Sequence, residues 1–570
     1  MGMKRSKRYI VFAILLALVF GIKFNQLGEN YEEVEVFRGA SLKEEDWNPL
    51  IAESVNEKKL SVMIDNREYD NQETNFYMDD NLNIMAPVSI LRDALNCSAH
   101  IYNGTTLLVE KHASEIAFTL NEDLADVNGE EKEISSPLTE RDGEYYVSLS
   151  DLAEYLDYSY TWNIDDNEAS TADTSESTSV IPVSYDLREK GRVPAVRNQG
   201  SYGTCWAFAA LGAMESALLP EKEASFSADH MTLCNSFHLT QADGGEYTMG
   251  MAYLAAWQGP VYEKDDPYGD GKTDETLKPV AHVQEMQVID GKDYEKIKEA
   301  VFKYGGVQTS LYSAIRSSQS VSTFYNKEKS AYCYIGTEKP NHDVLIIGWD
   351  DNYSKDNFSV SLEGDGAFIC QNSWGSDFGD NGVFYVSYYD TNIGTHNVVY
   401  TGVEDVDNYD NIYQSDLCGW VGQLGYKKDS IYGANVFTAN GRENLTAASF
   451  YATGKDTKYE LYVVKNFEDE NSFERKEKVA SGSLKNAGYY TIDFENEVPV
   501  EKGEQYAIVL HITTPDAIYP MAIEYKPEDS NTEVDLSDGK GYVSSSGSKW
   551  VDANTIEECN LCIKAFSNAR

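Results

Sequence analysis

The alternation of apolar and polar positions along the 570-residue chain predicts segments of different secondary structure. Residues 206–219 are rich in Ala, Leu and Met and end at Pro220, as expected of a buried helix, with Thr204 as the candidate N-cap. Residues 344–348 form a short apolar run that is typical of a buried strand. After residue 390, strand-like runs alternate with Gly, Asn and Asp turns, which predicts a β-sandwich. We therefore expect a multidomain α+β protein.

A weak internal repeat lies within residues 58–165. Residues 86–95 are followed by the strand-like segment 99–102, and the same order recurs in residues 147–156 and 160–162. Each copy has the pattern of a short helix that leads into a strand. The repeat therefore predicts a small N-terminal α+β domain.

The segments on either side of this domain have distinctive compositions. Residues 1–23 contain a basic segment and then an apolar run, whose length fits a signal peptide better than a full membrane span. This segment is either cleaved or kept as an N-terminal membrane anchor, so we expect an extracellular or cell-surface protein. Residues 166–180 are rich in Ser, Thr, Asp and Glu, and they are predicted to be a linker.

Composition argues against several classes of partner and cofactor. The formal net charge of −47 disfavours nucleic acid and anionic membrane surfaces as partners. Eight cysteines in 570 residues are too few for a disulfide scaffold. Cys559 and Cys562 lie in a strand-like segment, where packing is a better explanation than redox chemistry. We can place no further ligands for a zinc ion beside them, so we expect neither a metal nor a cofactor.

Three motifs carry residues with catalytic chemistry. Cys205 stands at the start of the predicted helix, six residues after Gln199, His342 heads the apolar strand, and Asn372 lies beside Trp374. Only a thiolate attacks a carbonyl carbon, and a free thiol is mostly protonated near neutral pH. A helix N-terminus and a neighbouring imidazolium both stabilise a thiolate. Cys205 is therefore the predicted nucleophile, with His342 as its ion-pair partner and later as proton donor to the leaving amine.

The three motifs, in this chain order, resemble those of the papain-like cysteine peptidases. The resemblance covers about residues 181–390 and implies a peptidase domain at 181–398. That domain is expected to have a helical subdomain and a β-barrel-like subdomain with a cleft between them. A peptidase of this family acts on protein or peptide substrates.

The resemblance also implies roles for individual residues. Asn372 would orient the His342 ring, and Trp374 would cover their hydrogen bond. Gln199 would contribute its side-chain amide, together with the Cys205 backbone N–H, to an oxyanion hole.

The chain also has the family's glycine pair, but it lacks cysteines that usually form disulfides in the family. Gly244 and Gly245 match a glycine pair whose backbone binds an extended substrate, because a missing side chain allows close approach. Tyr202 and Ala242 replace both cysteines of a family disulfide, and Cys234 keeps its family position without a partner cysteine. We therefore expect a peptidase domain without a disulfide.

The flanking domains resemble two other families. Residues 58–165 resemble the N-terminal domain of copper amine oxidases, although no clustered histidine set implies copper here. They lack the long charged helix of an inhibitory propeptide, so we expect this domain to be a spacer. Residues 399–570 resemble the lectin-like domain of some clostridial enzymes. Their tyrosines could stack on a cell-surface glycan or serve only in packing.

Two functions from different classes fit these features. The first is an exported papain-like cysteine peptidase. The second is a surface adhesion or scaffold protein with a degenerate peptidase domain and a glycan-binding sandwich. The complete set of Gln199, Cys205, His342 and Asn372 favours the enzyme.

Overall fold

The computed structural model describes most of the chain. It covers residues 35–37, 61–64, 67–70, 76–79, 83–173 without 112–113, 142, 157 and 164–167, and 181–570 without 316–320, 527–533, 554 and 556–557. The predicted signal or anchor segment, residues 1–23, lies outside these ranges. Across the described ranges, no helix combines the length and apolarity that a membrane crossing requires.

The main α-helices are short, apart from one in the peptidase domain. They are α1 (Val88–Ala94), α2 (Leu149–Tyr155), α3 (Cys205–Leu218), α4 (Ala228–Leu233), α5 (Tyr247–Ala255) and α6 (Tyr294–Lys303). Short 3-10 helices occur at Lys355–Asn357 and Glu470–Arg475.

Strands before residue 180 belong mostly to the N-terminal domain. They are β1 (Glu35–Phe37), β2 (Ser61–Ile64), β3 (Arg67–Asp70), β4 (Tyr77–Met78), β5 (Ile84–Pro87), β6 (Ser98–Tyr102), β7 (Thr106–Lys111), β8 (Ser114–Thr119), β9 (Leu124–Val127), β10 (Glu130–Glu133), β11 (Thr139–Arg141), β12 (Glu144–Ser148), β13 (Tyr158–Asn163) and β14 (Glu168–Asp173).

The predicted repeat is visible in this domain. α1 leads into β6, and α2 leads into β13, as the sequence pattern indicates. Leu91 and Leu152 occupy equivalent positions in the two helices, and both are fully buried in one core. The strands form three sheets with the orders β10-β9-β8-β7-β6, β11-β12-β5-β4 and β13-β14-β2-β3.

The predicted linker at residues 166–180 needs a correction. β14 pairs antiparallel with β13 and parallel with β2, so residues 168–173 belong to a sheet of the N-terminal domain. Their composition is typical of a linker, but ladder hydrogen bonds to two neighbouring strands outweigh local propensity. Residues 174–180 lie outside the described ranges.

The peptidase domain combines helices α3 to α6 with a twisted sheet. Its strands are β15 (Ser184–Asp186), β16 (His282–Ile289), β17 (Val307–Leu311), β18 (Tyr325–Asn326), β19 (Ala331–Tyr332), β20 (His342–Asp350), β21 (Ala367–Gln371), β22 (Val383–Ser387) and β23 (Asn397–Glu404). β20 pairs with β15, β17 and β21, which places it at the centre of the domain. This arrangement confirms the predicted papain-like core.

The helix that carries Cys205 is enclosed by the rest of the domain. α3 lies against β17, β20, β23 and α5, and its residues from Trp206 to Ser216 are all buried. A helix that is apolar all round is expected in such an interior position. α3 packs closely on β20 at Gly212, where an added Cβ would lie 3.4 Å from a methyl group of Leu345.

The C-terminal region is a β-sandwich, as predicted. Its strands are β24 (Asn411–Tyr413), β25 (Gly422–Gly425), β26 (Ser430–Thr438), β27 (Glu443–Ala452), β28 (Thr457–Val464), β29 (Glu477–Leu484), β30 (Ala487–Val500), β31 (Gln505–Thr513), β32 (Met521–Tyr525), β33 (Gly541–Ser544), β34 (Val551–Asp552), β35 (Cys559–Leu561) and β36 (Ile563–Ala569). A six-stranded sheet with the order β29-β28-β31-β26-β33-β34 forms one layer, and β1 pairs with β25 in the other.

The predicted boundary between residues 398 and 399 falls inside a strand. β23 pairs with β16 along its whole length, from Asn397 opposite Ile289 to Glu404 opposite His282. The peptidase sheet therefore continues to Glu404. β16 also pairs with β30 of the sandwich, so the two domains share continuous strand pairing.

The N-terminal domain contacts the peptidase domain at the end of α3 that is distant from Cys205. Glu221, just beyond α3, accepts hydrogen bonds from the Ile101 backbone N–H at 3.2 Å and from His100 Nδ1 at 3.0 Å. The 14 residues of α3 span about 21 Å. This contact therefore lies well away from the start of α3.

All eight cysteines lie in the described ranges, and none forms a disulfide. We predict that a reducing buffer leaves the Tm of the protein unchanged, because packing alone holds the peptidase domain together. A disulfide contributes about 2–4 kcal/mol, which corresponds to a shift of several degrees in Tm. Calorimetry with and without reductant checks this. A fall of that size on reduction would contradict it.

Candidate active site

Cys205 is the first residue of α3, and Thr204 is the N-cap as predicted. The Thr204 side chain makes no capping hydrogen bond, however. Its hydroxyl instead donates to the Tyr268 hydroxyl at 2.7 Å, which in turn donates to the Gln199 carbonyl at 2.8 Å. The sulfur receives hydrogen bonds from the backbone N–H groups of Cys205 and Trp206. The unpaired donors of the first turn thus serve the thiol.

His342 and Asn372 come together as predicted. His342 is the first residue of β20, and its Nε2 lies 2.8 Å from Asn372 Oδ1. An amide oxygen only accepts, so Nε2 carries the proton and Nδ1 of the neutral ring is left as an acceptor. The Trp374 ring packs 4.9 Å from the imidazole, between centroids.

A glutamine on β17 joins the first turn of α3 to the start of β20. Gln308 Nε2 donates to the Trp206 carbonyl at 3.3 Å and to Asp343 Oδ2 at 2.9 Å. The backbone N–H of Asp343 donates to the Cys205 sulfur. These bonds bring Cys205 beside the segment that begins with His342.

Gln199 is buried and held in one orientation by two side-chain hydrogen bonds. Its Oε1 accepts from the Ser373 hydroxyl at 2.6 Å, and its Nε2 donates to the Tyr202 carbonyl at 2.7 Å. The Gln199 backbone N–H also donates to the Ser373 carbonyl at 2.8 Å. An amide nitrogen has two hydrogens, so one remains available to a ligand.

Gly244 and Gly245 lie against the loop and helix that present Cys205. A Cβ on Gly203 would lie 2.8 Å from Gly244 Cα, and a Cβ on Gly245 would lie 2.4 Å from Trp206 Nε1. Gly244 also has a φ of +84°, which favours glycine. The pair therefore presents bare backbone beside the nucleophile.

Burial dominates the electrostatics of the two titratable groups. Burial, with a smaller contribution from the neighbouring Asp343 carboxylate, raises the pKa of Cys205 to about 12 against the backbone hydrogen bonds to the sulfur. Burial also lowers the pKa of His342 to about 4, against the opposing effect of the Asn372 hydrogen bond. For the isolated thiol in this geometry, burial therefore outweighs the hydrogen bonds from the start of α3. An ion pair between Cys205 and His342 would require direct transfer of the thiol proton to the imidazole, because the thiolate and the imidazolium then stabilise each other.

Sequence analysis missed three residues of this site. Ser373 and Asp343 directly follow Asn372 and His342, so adjacency alone could have suggested them. Gln308 had no such signal, because only the pairing of β17 with β20 brings it to the site. Among the described residues, no group of three or more His, Cys, Asp or Glu side chains is arranged to hold a metal ion.

The fold and this site define a papain-like cysteine peptidase. Family models match residues 181–403 (papain family cysteine protease), 412–567 (lectin like domain) and 60–171 (copper amine oxidase N-terminal domain). All three predicted resemblances are therefore confirmed. The exact domain boundaries remain predictions, apart from the corrections above.

The chain belongs to the papain family of cysteine proteases. It is 31% identical to cathepsin S of Bos taurus over 246 residues, which are 42% of this chain and 67% of that protein. It is also 31% identical to cysteine proteinase 1 of Zea mays over 226 residues, which are 37% of this chain and 57% of that protein.

A solved structure extends the likeness beyond the peptidase domain. The cysteine protease and lectin-like domains of Cwp84, a surface layer associated protein of Clostridium difficile, match with a TM-score of 0.60 and 28% identity. The match covers 68% of this chain and 89% of that chain. A second structure, of Cwp84 after propeptide cleavage, gives a TM-score of 0.59 at 28% identity, over 68% of this chain and 99% of that chain.

We predict that Ser373→Ala lowers kcat by about threefold to tenfold, because Gln199 loses the bond that orients its amide. Steady-state kinetics on a peptide substrate measures this. Ser387→Ala is the matched control, because it removes another buried hydroxyl of the same domain. Equal losses in the two variants would show that Ser373 acts only through stability.

Proposed function

We propose that this cysteine peptidase uses Cys205 as nucleophile, His342 as proton carrier, Asn372 as orienting residue and Gln199 as oxyanion-hole donor. The observation that carries the proposal is the bond between His342 Nε2 and Asn372 Oδ1. It fixes the proton on Nε2 and leaves Nδ1 free to accept the proton of the thiol.

The geometry supports a two-stage reaction. The Cys205 proton moves to His342 Nδ1 as the sulfur attacks the carbonyl carbon, which forms a C–S bond and an oxyanion. The free N–H of Gln199 Nε2 and the Cys205 backbone N–H stabilise that oxyanion. His342 then donates its proton to the amine nitrogen as the C–N bond breaks. His342 then takes a proton from water, whose oxygen attacks the thioester carbonyl carbon. The C–S bond breaks, the acid product leaves, and the proton returns from His342 to the Cys205 sulfur.

Three further residues are assigned to substrate binding. Gly244 and Gly245 would hydrogen-bond an extended peptide through their backbones, supported by their position beside Trp206. Trp374 would shield the bond between His342 and Asn372 from water, supported by its packing at a tilt against the imidazole.

We infer an exported protein that works at the cell surface. The basic and apolar composition of residues 1–23 supports a signal peptide or N-terminal anchor. The surface association stated for Cwp84 supports the same location. For the C-terminal domain we propose a glycan ligand, supported by the lectin-like family match. Binding to a glycan array by a peptidase-inactive variant tests that part.

We predict that Cys205→Ala abolishes peptide hydrolysis while the circular dichroism spectrum stays that of the wild type, because the thiol supplies covalent catalysis and little of the core. Asn372→Ala should retain measurable activity, since an orienting hydrogen bond contributes less than the nucleophile. Retained turnover in Cys205→Ala would overturn Cys205 as the nucleophile, whereas absence of turnover in the wild type would support the adhesion or scaffold alternative. Equal losses in both variants would show that Asn372 does more than orient His342.

We also predict that a chain beginning near residue 179 hydrolyses peptides about as fast as one beginning near residue 60. The N-terminal domain contacts the end of α3 distant from Cys205, so it is expected to leave the cleft open. Matched kcat/KM measurements on the two chains check this. A gain of about tenfold on removing the domain, or ~1.4 kcal/mol, would identify it as an inhibitory propeptide of unfamiliar type.

A further inference from the structure

Two carboxylates lie beside the Cys205 and His342 pair. Glu246, the N-cap of α5, follows the substrate-binding glycines and is exposed. The next residue, Tyr247, packs 5.1 Å from the His396 ring, between centroids. The His396 carbonyl accepts from the Ser310 backbone N–H at 3.3 Å, and the Ser310 hydroxyl donates to Asp343 at 2.7 Å. These contacts form one continuous wall that joins the two carboxylates.

Two buried polar atoms near Asp343 have no hydrogen-bond partner among the described residues. Gln308 is 1% exposed, and its Oε1 has no hydrogen-bond partner although its Nε2 is engaged. Tyr400 is also 1% exposed, and its hydroxyl has no hydrogen-bond partner. A buried acceptor without a partner is unfavourable, because it has lost its hydrogen bonds to water. A substrate donor that reaches Gln308 Oε1 would satisfy it.

Asp343 lines a cavity together with Arg197, but the side chains that donate hydrogen bonds to its carboxylate are neutral. The other groups that face Asp343 are Cys205 of α3, His342 of β20, Gln308 and Ser310 of β17, Glu246 and Tyr247 at the start of α5, and Tyr400 of β23. Burial, with a smaller contribution from Glu246, raises the pKa of Asp343 to about 6 against the hydrogen bonds from Ser310 and Gln308. The carboxylate is therefore ionised at neutral pH, and its hydrogen bonds come from neutral donors.

We propose that Asp343, together with Glu246, binds a lysine or arginine side chain of the peptide substrate close to the scissile bond. The proposal rests on the peptidase function proposed above and adds a substrate class to it. A guanidinium has five N–H donors and no acceptor, so it can satisfy the Asp343 carboxylate and Gln308 Oε1 together. An ammonium group can reach the same oxygens with three donors.

The test uses the full chain and fluorogenic peptides that differ at one residue. Each position in turn carries arginine, lysine, leucine or citrulline, which has nearly the shape of arginine but no charge. At one position we expect kcat/KM at neutral pH to favour arginine over citrulline by at least about tenfold. Below pH 6 the ratio should fall, because protonation removes the charge of Asp343.

Three substitutions complete the design. Asp343→Asn should bring the arginine-to-citrulline ratio close to one, and Glu246→Gln should lower it in part. Glu246 is exposed, so its variant should fold even if Asp343→Asn does not. Asp243→Asn removes an exposed charge from the same loop and should leave the ratio unchanged.

The outcomes separate this proposal from the one on which it rests. Cleavage without a charge preference at any position would overturn the specificity proposal alone. So would an equal loss on all peptides in Asp343→Asn, which would make Asp343 a positioning residue. Absence of all cleavage, together with an unreactive Cys205, would overturn the peptidase function and this proposal with it.

Discussion

The active site depends on the contact between the first turn of α3 and the first residues of β20. Gln308 bridges them by donating to the Trp206 carbonyl and to Asp343. The Asp343 backbone N–H completes the contact at the Cys205 sulfur. Cys205 and His342, the proposed nucleophile and proton carrier, therefore come together without a disulfide or a cluster of metal ligands among the described residues.

The packing that fixes this geometry also disfavours the charged forms of Cys205 and His342. α3 is enclosed on every side, so the helix is fixed in place, but the same enclosure favours the neutral forms of Cys205 and His342. The thiolate and the imidazolium become favourable only when they form together, because their mutual attraction offsets the hydration that each has lost on burial. The hydrogen bond from His342 to Asn372 and the contact with Trp374 hold the imidazole with Nδ1 as the acceptor, as the proposed transfer requires.

The sequence predicted those parts of the molecule whose signal lies within a short contiguous segment, either as a catalytic motif or as a periodic pattern. The apolar run after Cys205, the turn around Asn372 and the two helix-to-strand copies are such signals. Composition misled at β14, because Ser and Thr are as common in linkers as in strands, and only a partner strand decides between them. The boundary at residue 398 failed for the same reason, since β23 is defined by its pairing with β16.

The most direct test of the account is covalent labelling by a thiol-directed epoxysuccinyl inhibitor, read by intact mass and peptide mapping. The account predicts one adduct, on Cys205, because this thiol is partly accessible and has a proton acceptor beside it. In His342→Ala the labelling rate should fall sharply, since no group remains to take the proton. An unlabelled protein, an adduct on another of the eight cysteines, or an unchanged rate in His342→Ala would contradict the account.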